Sequence, residues 1–171
     1  MAGSLVKIAE TTVSSAVASV TLTGIDSTYD VYQLVIRNLQ SANDNTASRY
    51  RVTKGGTVQT DSEYDNAYKY LTTSGTFGNG TATNIDRWYL DNQGTGTGEA
   101  FNANIYLFNF PNASEYSFAT KETVGLQSSP NLTGLQGGDV HTVASASDGV
   151  NISMDSGNIT AGTITLYGLK K

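Results

Sequence analysis

Cysteine is absent from this chain of 171 residues, which also contains two prolines, one histidine and one tryptophan. Without cysteine the chain can form neither disulfide bonds nor thiolate metal sites. A catalytic triad needs a histidine held by a partner, and zinc commonly takes more than one histidine. We therefore predict no catalytic residue, no metal ion and no cofactor, and we interpret His141 as a histidine on the face of a strand.

Positive charge is also scarce. Ten Lys and Arg residues against fifteen Asp and Glu residues give a formal net charge of −5 and a pI near 4.6. Scattered basic residues in an acidic chain are not the electrostatic footprint of a nucleic-acid-binding protein. No apolar run approaches the ~20 residues of a membrane-spanning helix, and residues 1–8 lack the features of a signal peptide. We predict cytosolic synthesis, with neither nucleic acid nor membrane as a partner.

The residues that are abundant favour strands and turns. Thr fits a pleated surface, Ser and Asn favour turns, and eighteen glycines add many tight connections. No segment with helical periodicity reaches three turns. We predict an all-β fold, a single antiparallel jelly-roll-like β-sandwich of about ten strands formed by residues 1–171. An immunoglobulin-like sandwich would usually be shorter.

Alternation of apolar and polar residues places the strands. Residues 31–39 and 100–110 are apolar enough for interior strands, whereas segments 72–83 and 127–138, the second holding Pro130, are predicted to be loops. Segments 140–146 and 150–154 are predicted to form a hairpin across the turn-like sequence Ser-Asp-Gly. In residues 13–22 the apolar positions change parity, so we predict a β-bulge near Ala18.

The orientation of two strands is predicted from the same alternation. In residues 159–169, Ile164 and Leu166 should lie in the core of a closing strand that has neighbours on both sides. Apolar and polar residues alternate in residues 115–126, and the apolar side chains should be the buried ones. The predicted inward side chains are Tyr116, Phe118, Val124 and Leu126, and the predicted outward ones are Ser117, Lys121 and Thr123.

Charged groups offer two weak candidate sites. Asp61, Glu63 and Asp65 alternate and could gather around calcium, but the spacing of an EF-hand loop does not follow them, and a solvated acidic turn is the simpler interpretation. Nothing selects two of the carboxylates as a glycosidase pair. The basic stripe Arg49, Arg51 and Lys54 is interpreted as a solvated face that could also meet acidic groups of a neighbour.

Aromatic side chains form the main candidate contact site. Large rings with polar tips stack on the apolar faces of sugars, and they also anchor protein cores and subunit interfaces. The candidates are Tyr64, Tyr68, Tyr70, Trp88 and Tyr89. In residues 64–71, Tyr64, Tyr68 and Tyr70 are predicted to share one face of a strand. A core or interface role is the first interpretation, and contact with a glycan is the alternative.

Two segments carry a family resemblance. The sequence VTLTGIDSTYDVYQLVIRNL at 20–39 and the closing sequence GTITLYGL at 162–169 resemble those of small β-rich proteins of tailed bacteriophages, notably phages of marine and aquatic bacteria. The shared features are the Leu-Thr-Gly-Ile turn, a Tyr-x-x-Tyr strand and an Asn-Leu end. The resemblance contains no catalytic motif.

The resemblance implies a virion structural protein that forms symmetric oligomers. The first expectation is a capsid decoration protein, a trimer, made in the cytoplasm of the bacterial host and seated on the major capsid protein at the virion surface. The alternative is a tail-fibre or receptor-binding domain that contacts host glycans. A glycan-degrading enzyme is a third class, for which we expect no activity.

Overall fold

The computed structural model describes residues 4–128 and 131–170, and that part of the chain folds into thirteen β-strands without a helix. It therefore contains no helix that could cross a membrane. The strands are β1 (Leu5–Val13), β2 (Ser19–Thr23), β3 (Val31–Ser41), β4 (Thr46–Lys54), β5 (Thr57–Val58), β6 (Tyr64–Thr72), β7 (Phe77–Ile85), β8 (Trp88–Gln93), β9 (Phe101–Phe108), β10 (Ser117–Gln127), β11 (Asn131–His141), β12 (Gly149–Met154) and β13 (Ile159–Leu169).

The strands form two antiparallel sheets that pack on a shared apolar core. The large sheet has eight strands in the order β1-β13-β3-β9-β10-β11-β6-β7. The small sheet has the order β2-β12-β4-β5. β8 also pairs with β4, on the edge of β4 that pairs with β5. This arrangement confirms the predicted all-β, jelly-roll-like sandwich.

The closing strand occupies the predicted place. β13 lies between β1 and β3 in the large sheet, and Ile164 and Leu166 are fully buried. β3 and β9, the two segments predicted to be interior strands, are neighbours at the middle of that sheet. Apolar side chains on these central strands supply much of the core, so for these strands the alternation of apolar and polar residues predicted burial correctly.

Two connections differ from the prediction because the chain crosses between the sheets. β1 belongs to the large sheet and β2 to the small sheet, so the parity change in residues 13–22 is this crossing and the bulge predicted near Ala18 is wrong. The predicted hairpin of segments 140–146 and 150–154 is also wrong, because β11 and β12 lie in different sheets. Asp148 fixes that second crossing by accepting hydrogen bonds from Thr53 Oγ1 and the Gly56 amide.

Two segments predicted to be loops contain strands, and the described chain has thirteen strands rather than about ten. Segment 127–138 contains most of β11, and the part around Pro130 lies outside the described residues. Segment 72–83 contains most of β7, which pairs with β6. A Cβ at Gly78 or Gly80 would lie 2.3 or 2.1 Å from the ring of Tyr70 or Tyr68. These glycines therefore allow two rings to lie flat on β7.

The predicted orientation of β10 is inverted. Ser117, Lys121 and Thr123 are buried, whereas Phe118 and Val124 are 44% and 47% exposed. Tyr116 precedes the strand and is exposed, and Leu126 is only partly buried. Directly paired residues of neighbouring strands point to the same face of a sheet. Because Lys121 pairs with the core residue Ile105 of β9, the polar set of β10 faces inward.

Candidate functional site

On the inner face of the large sheet, Lys121 of β10 and Asp139 of β11 form a buried ion pair. Lys121 Nζ lies 2.8 Å from Asp139 Oδ1, and both side chains are fully buried. Lys121 also donates to the Tyr89 carbonyl, and the Tyr50 hydroxyl donates to Asp139 Oδ2. Burial lowers the pKa of Lys121 and raises the pKa of Asp139, and each charge opposes the shift of the other. The pair ties the large sheet to β4 and β8 of the small sheet.

The candidate aromatic side chains divide into two groups. Trp88 and Tyr64 are fully buried, with ring centroids 5.2 Å apart, and Trp88 Nε1 donates to the Val140 carbonyl. Tyr68, Tyr70 and Tyr89 are partly exposed. The first group belongs to the core. The second group is partly accessible to solvent, and its contact with a partner or a glycan stays a prediction.

The partly exposed tyrosines line a cleft of about 300 Å³ formed by β8 and by β6, β10 and β11 of the large sheet. We call it the tyrosine cleft. It is lined by Tyr68, Tyr70, Thr72, Tyr89, Asp91, Asn92, Gln127, Thr133 and Leu135. The rings of Tyr68 and Tyr89 are stacked, with centroids 5.2 Å apart and planes 21° apart. The prediction that Tyr64, Tyr68 and Tyr70 share one face of a strand is confirmed, since that face of β6 leads from the core to this cleft.

Asp91 is the carboxylate among the described residues that line the cleft. Its Oδ1 accepts hydrogen bonds from the Asn92 amide at 2.8 Å and from Gln127 Nε2 at 3.1 Å. Its Oδ2 is buried and has no hydrogen-bond partner among the described residues, and the same holds for Thr133 Oγ1. Burial raises the pKa of Asp91, and these hydrogen bonds oppose the shift.

The opposite side of the large sheet carries apolar side chains into solvent. We call this surface the outer apolar face. Its members are Val35, Tyr106, Phe108, Phe118, Val124, Leu126, Leu132 and Val140. Tyr106, Phe118, Val124 and Leu132 are each at least 37% exposed. A groove of about 530 Å³ runs beside Phe118, over Ala67 and Gly138. Cross-strand pairing of Phe118 with Phe108 and Val140 makes the surface continuous across three strands.

His141 lies on the face of β11, as predicted, but that face is the buried one. Its ring packs against Tyr64 with centroids 4.8 Å apart, and Nε2 lies 3.5 Å from Glu63 Oε2. Burial is the main cause that lowers the pKa of His141 to about 4, and the charge of Lys54 adds to it. The imidazole is therefore neutral at physiological pH.

The acidic candidates do not converge. Asp65 accepts a hydrogen bond from the Asn84 amide, Glu63 lies beside His141, and Asp61 is exposed. Within residues 4–128 and 131–170, no three His, Cys, Asp or Glu side chains lie close enough to hold a metal ion. The three carboxylates thus serve separate local contacts.

The basic stripe pairs within its own chain. Arg49 Nη1 lies 2.9 Å from Asp155 Oδ1, and Arg51 pairs with Asp86. Arg87 contacts both of these carboxylates, so the groups form one network. Arg51 is 8% exposed, which corrects the interpretation of the stripe as a solvated face. The acidic partners of Arg49 and Arg51 are intramolecular.

Asp91, Lys121, Thr133 and Asp139 are all buried, but little in the amino-acid sequence predicts this. Thr133 and Asp139 lie in or beside a segment predicted to be a loop, and Lys121 is predicted on the outward face although it is buried. The hairpin of β10 and β11 was the missing step, because its register brings Lys121 and Asp139 onto the same inner face.

Comparisons with known proteins add a distant structural likeness. No protein-family model matches the chain, and no curated protein matches its sequence. Among solved structures, the chain is similar to the exo-inulinase from Aspergillus awamori, with 13% identity and a TM-score of 0.44. The match covers 96% of this chain and 29% of that one. A likeness at this level carries no argument about function.

Proposed function

We propose that the protein is a structural subunit of a bacteriophage virion, a capsid decoration protein that assembles through its outer apolar face. The observation that carries the proposal is the inverted orientation of β10, which places Phe118 and Val124 in solvent while Lys121 is buried. The resemblance of residues 20–39 and 162–169 to phage proteins supplies the virion setting.

The outer apolar face supports assembly because a monomer gains nothing by exposing it. Burying a side chain such as Phe or Leu contributes about 1.5–3 kcal/mol, at ~25 cal/mol per Å² of apolar surface. The part of the face formed by Phe108, Phe118 and Val140 is continuous across three strands, and contiguous apolar surface is typical of protein–protein contact sites. The aromatic and aliphatic members of the face are residue types that anchor interfaces.

Decoration would act mechanically. Copies of the protein, arranged as a trimer, would bind across junctions between major capsid protein subunits and add contact area to the shell. A ligand that binds only the assembled state stabilises that state by mass action. The shell would then resist the pressure of packaged DNA, and the location would be the virion surface.

Copy number tests this proposal. Densitometry of purified virions should find hundreds of copies, and the purified protein should bind capsids that lack it. A few copies per virion, with no binding to such capsids, would contradict capsid decoration.

The second candidate function is a tail-fibre or receptor-binding domain that contacts host glycans. The tyrosine cleft favours it, because Tyr68, Tyr70 and Tyr89 present partly exposed rings beside polar groups. Low copy number together with binding of the purified protein to host cells would support this function over decoration.

A further inference from the structure

We propose that the tyrosine cleft binds a neutral saccharide, with one pyranose ring packed against Tyr70 and its hydroxyl groups bonded by the side chains at the base. This inference deepens the second candidate function by naming the chemical class of the ligand. It uses the inner side of the large sheet, whereas assembly is proposed for the outer side, so each can fail without the other.

Two glycines in β7 allow the tyrosine rings that form the wall of the cleft to lie close to the backbone of that strand. Tyr70 lies over Gly78 and Tyr68 lies over Gly80, and a Cβ at either glycine would clash with the ring above it. Each ring is thus supported from below by the backbone of β7. Tyr68 is further fixed by stacking on Tyr89, and Lys121 Nζ lies 5.2 Å from the centroid of the Tyr68 ring. A wall ordered before binding loses little entropy when a ligand arrives.

Tyr70 is the tyrosine of the cleft whose ring is free to stack on a ligand, because Tyr68 and Tyr89 stack on each other. It lies in the same row as Tyr68, it is partly exposed, and it has no aromatic partner within the described residues. Large rigid rings with a polar tip supply contact area at low entropic cost. The apolar face of a pyranose ring matches such a surface, while its hydroxyl groups remain at the edge.

The base of the cleft contains polar atoms that lack partners. Asp91 and Thr133 are each 2% exposed, and Asp91 Oδ2 and Thr133 Oγ1 have no hydrogen-bond partner in the described part of the chain. Buried polar groups are nearly always paired in native structures. A sugar hydroxyl can donate to the carboxylate, and it can either donate to or accept from the threonine hydroxyl. Neighbouring hydroxyl groups of one sugar unit could serve both.

Charge and size restrict the ligand class. One carboxylate, Asp91, lines the cleft, and the described lining residues include no Lys or Arg. Lys121 is fully buried and is already paired with Asp139. Uronic acids, sialic acids and phosphorylated sugars would therefore meet a like charge without a compensating cation. A volume of about 300 Å³ is at the small end of ligand pockets, which suits a single sugar unit.

Ligand-observed NMR on the purified full-length protein tests the inference. The probes are four neutral disaccharides (maltose, lactose, cellobiose and mannobiose) and one acidic disaccharide, digalacturonic acid. We expect saturation transfer to at least one neutral probe with millimolar affinity and markedly weaker transfer to the acidic one. Absence of transfer to all four neutral probes, or stronger binding of digalacturonic acid, would overturn the inference.

Three variants locate the binding. Tyr70→Ala should weaken the affinity for the neutral probe at least about tenfold, equivalent to about 1.4 kcal/mol, whereas Tyr70→Phe should keep most of it because the ring remains. Tyr106→Ala removes an exposed tyrosine from the outer apolar face and should leave the affinity unchanged. Equal affinities of the Tyr70→Ala and Tyr106→Ala variants would overturn the inference, as would a loss with Tyr70→Phe equal to that with Tyr70→Ala.

Discussion

Lys121 and Asp139 form a fully buried ion pair, with Nζ and Oδ1 2.8 Å apart. The residues that flank Lys121 along β10 and point to the other side, Thr120 and Glu122, are exposed, as are Phe118 and Val124 beyond them. The strand thus directs Lys121 inward and Phe118 and Val124 outward. Both the cohesion of the two sheets and the proposed assembly surface follow from this orientation.

Removing one member of the ion pair should destabilise the fold strongly. Lys121→Met leaves the Asp139 carboxyl buried without its cation, and breaking a buried pair in this way costs about 3–5 kcal/mol. Urea unfolding at pH 7 measures the loss. Lys69→Met, at an exposed position of β6, is the control and should change the free energy of unfolding by less than about 0.5 kcal/mol. Similar stabilities of the two variants would show that Lys121 is hydrated rather than buried.

The core position of the closing strand gives a second prediction. Leu166 is fully buried between β1 and β3, so Leu166→Asp places a carboxylate in the core and should prevent folding. Circular dichroism and solubility of the expressed protein report the outcome. Thr163→Asp, at a partly exposed position of the same strand, should fold. A soluble Leu166→Asp variant with native spectra would mean that Leu166 faces solvent.

His141 should make the fold less stable in mild acid. Its pKa is lowered from about 6.5 to about 4, so the neutral imidazole contributes stability that is complete above pH 6.5 and declines as the pH falls toward 4. Between pH 7 and pH 5 the free energy of unfolding should fall by about 2 kcal/mol from this group.

Comparison of unfolding curves with the His141→Gln variant isolates that contribution. The variant is expected to be less stable at pH 7, since its amide replaces a ring packed on Tyr64, and the difference between the two proteins should shrink at pH 5. The carboxyl groups titrate in both proteins, so their effect cancels. Parallel pH profiles would contradict a buried neutral histidine.

Alternation in the sequence predicted the strands that supply the core. It did not predict β7, where glycines are needed because the side chains of a neighbouring strand lie on the backbone. Residues of β3, β9 and β13 alternate around apolar side chains that are fully buried, among them Leu34, Ile105 and Leu166. β7 contains Gly78 and Gly80 because the rings of Tyr70 and Tyr68 cover its backbone there. From composition alone such a strand cannot be told from a loop.

The candidate site was predicted only in part, for a related reason. Alternation along β6 placed Tyr64, Tyr68 and Tyr70 on one face, which is a local property. Thr133 faces Thr72 across β6 and β11, a pairing that spans about sixty residues of chain. Periodicity gives the spacing of side chains along β10 but not which of its two faces is inside, because that depends on its pairing with β9.

Light scattering after size-exclusion chromatography tests the outer apolar face most directly. The wild-type protein should elute as an oligomer, a trimer by the proposal, and the Phe118→Lys/Val124→Lys variant should elute as a folded monomer with unchanged circular dichroism. Leu107→Lys, in the core of β9, should not fold and serves as the contrast. A monomeric wild-type protein, or loss of folding in the Phe118→Lys/Val124→Lys variant, would contradict an outward, assembling face of β10.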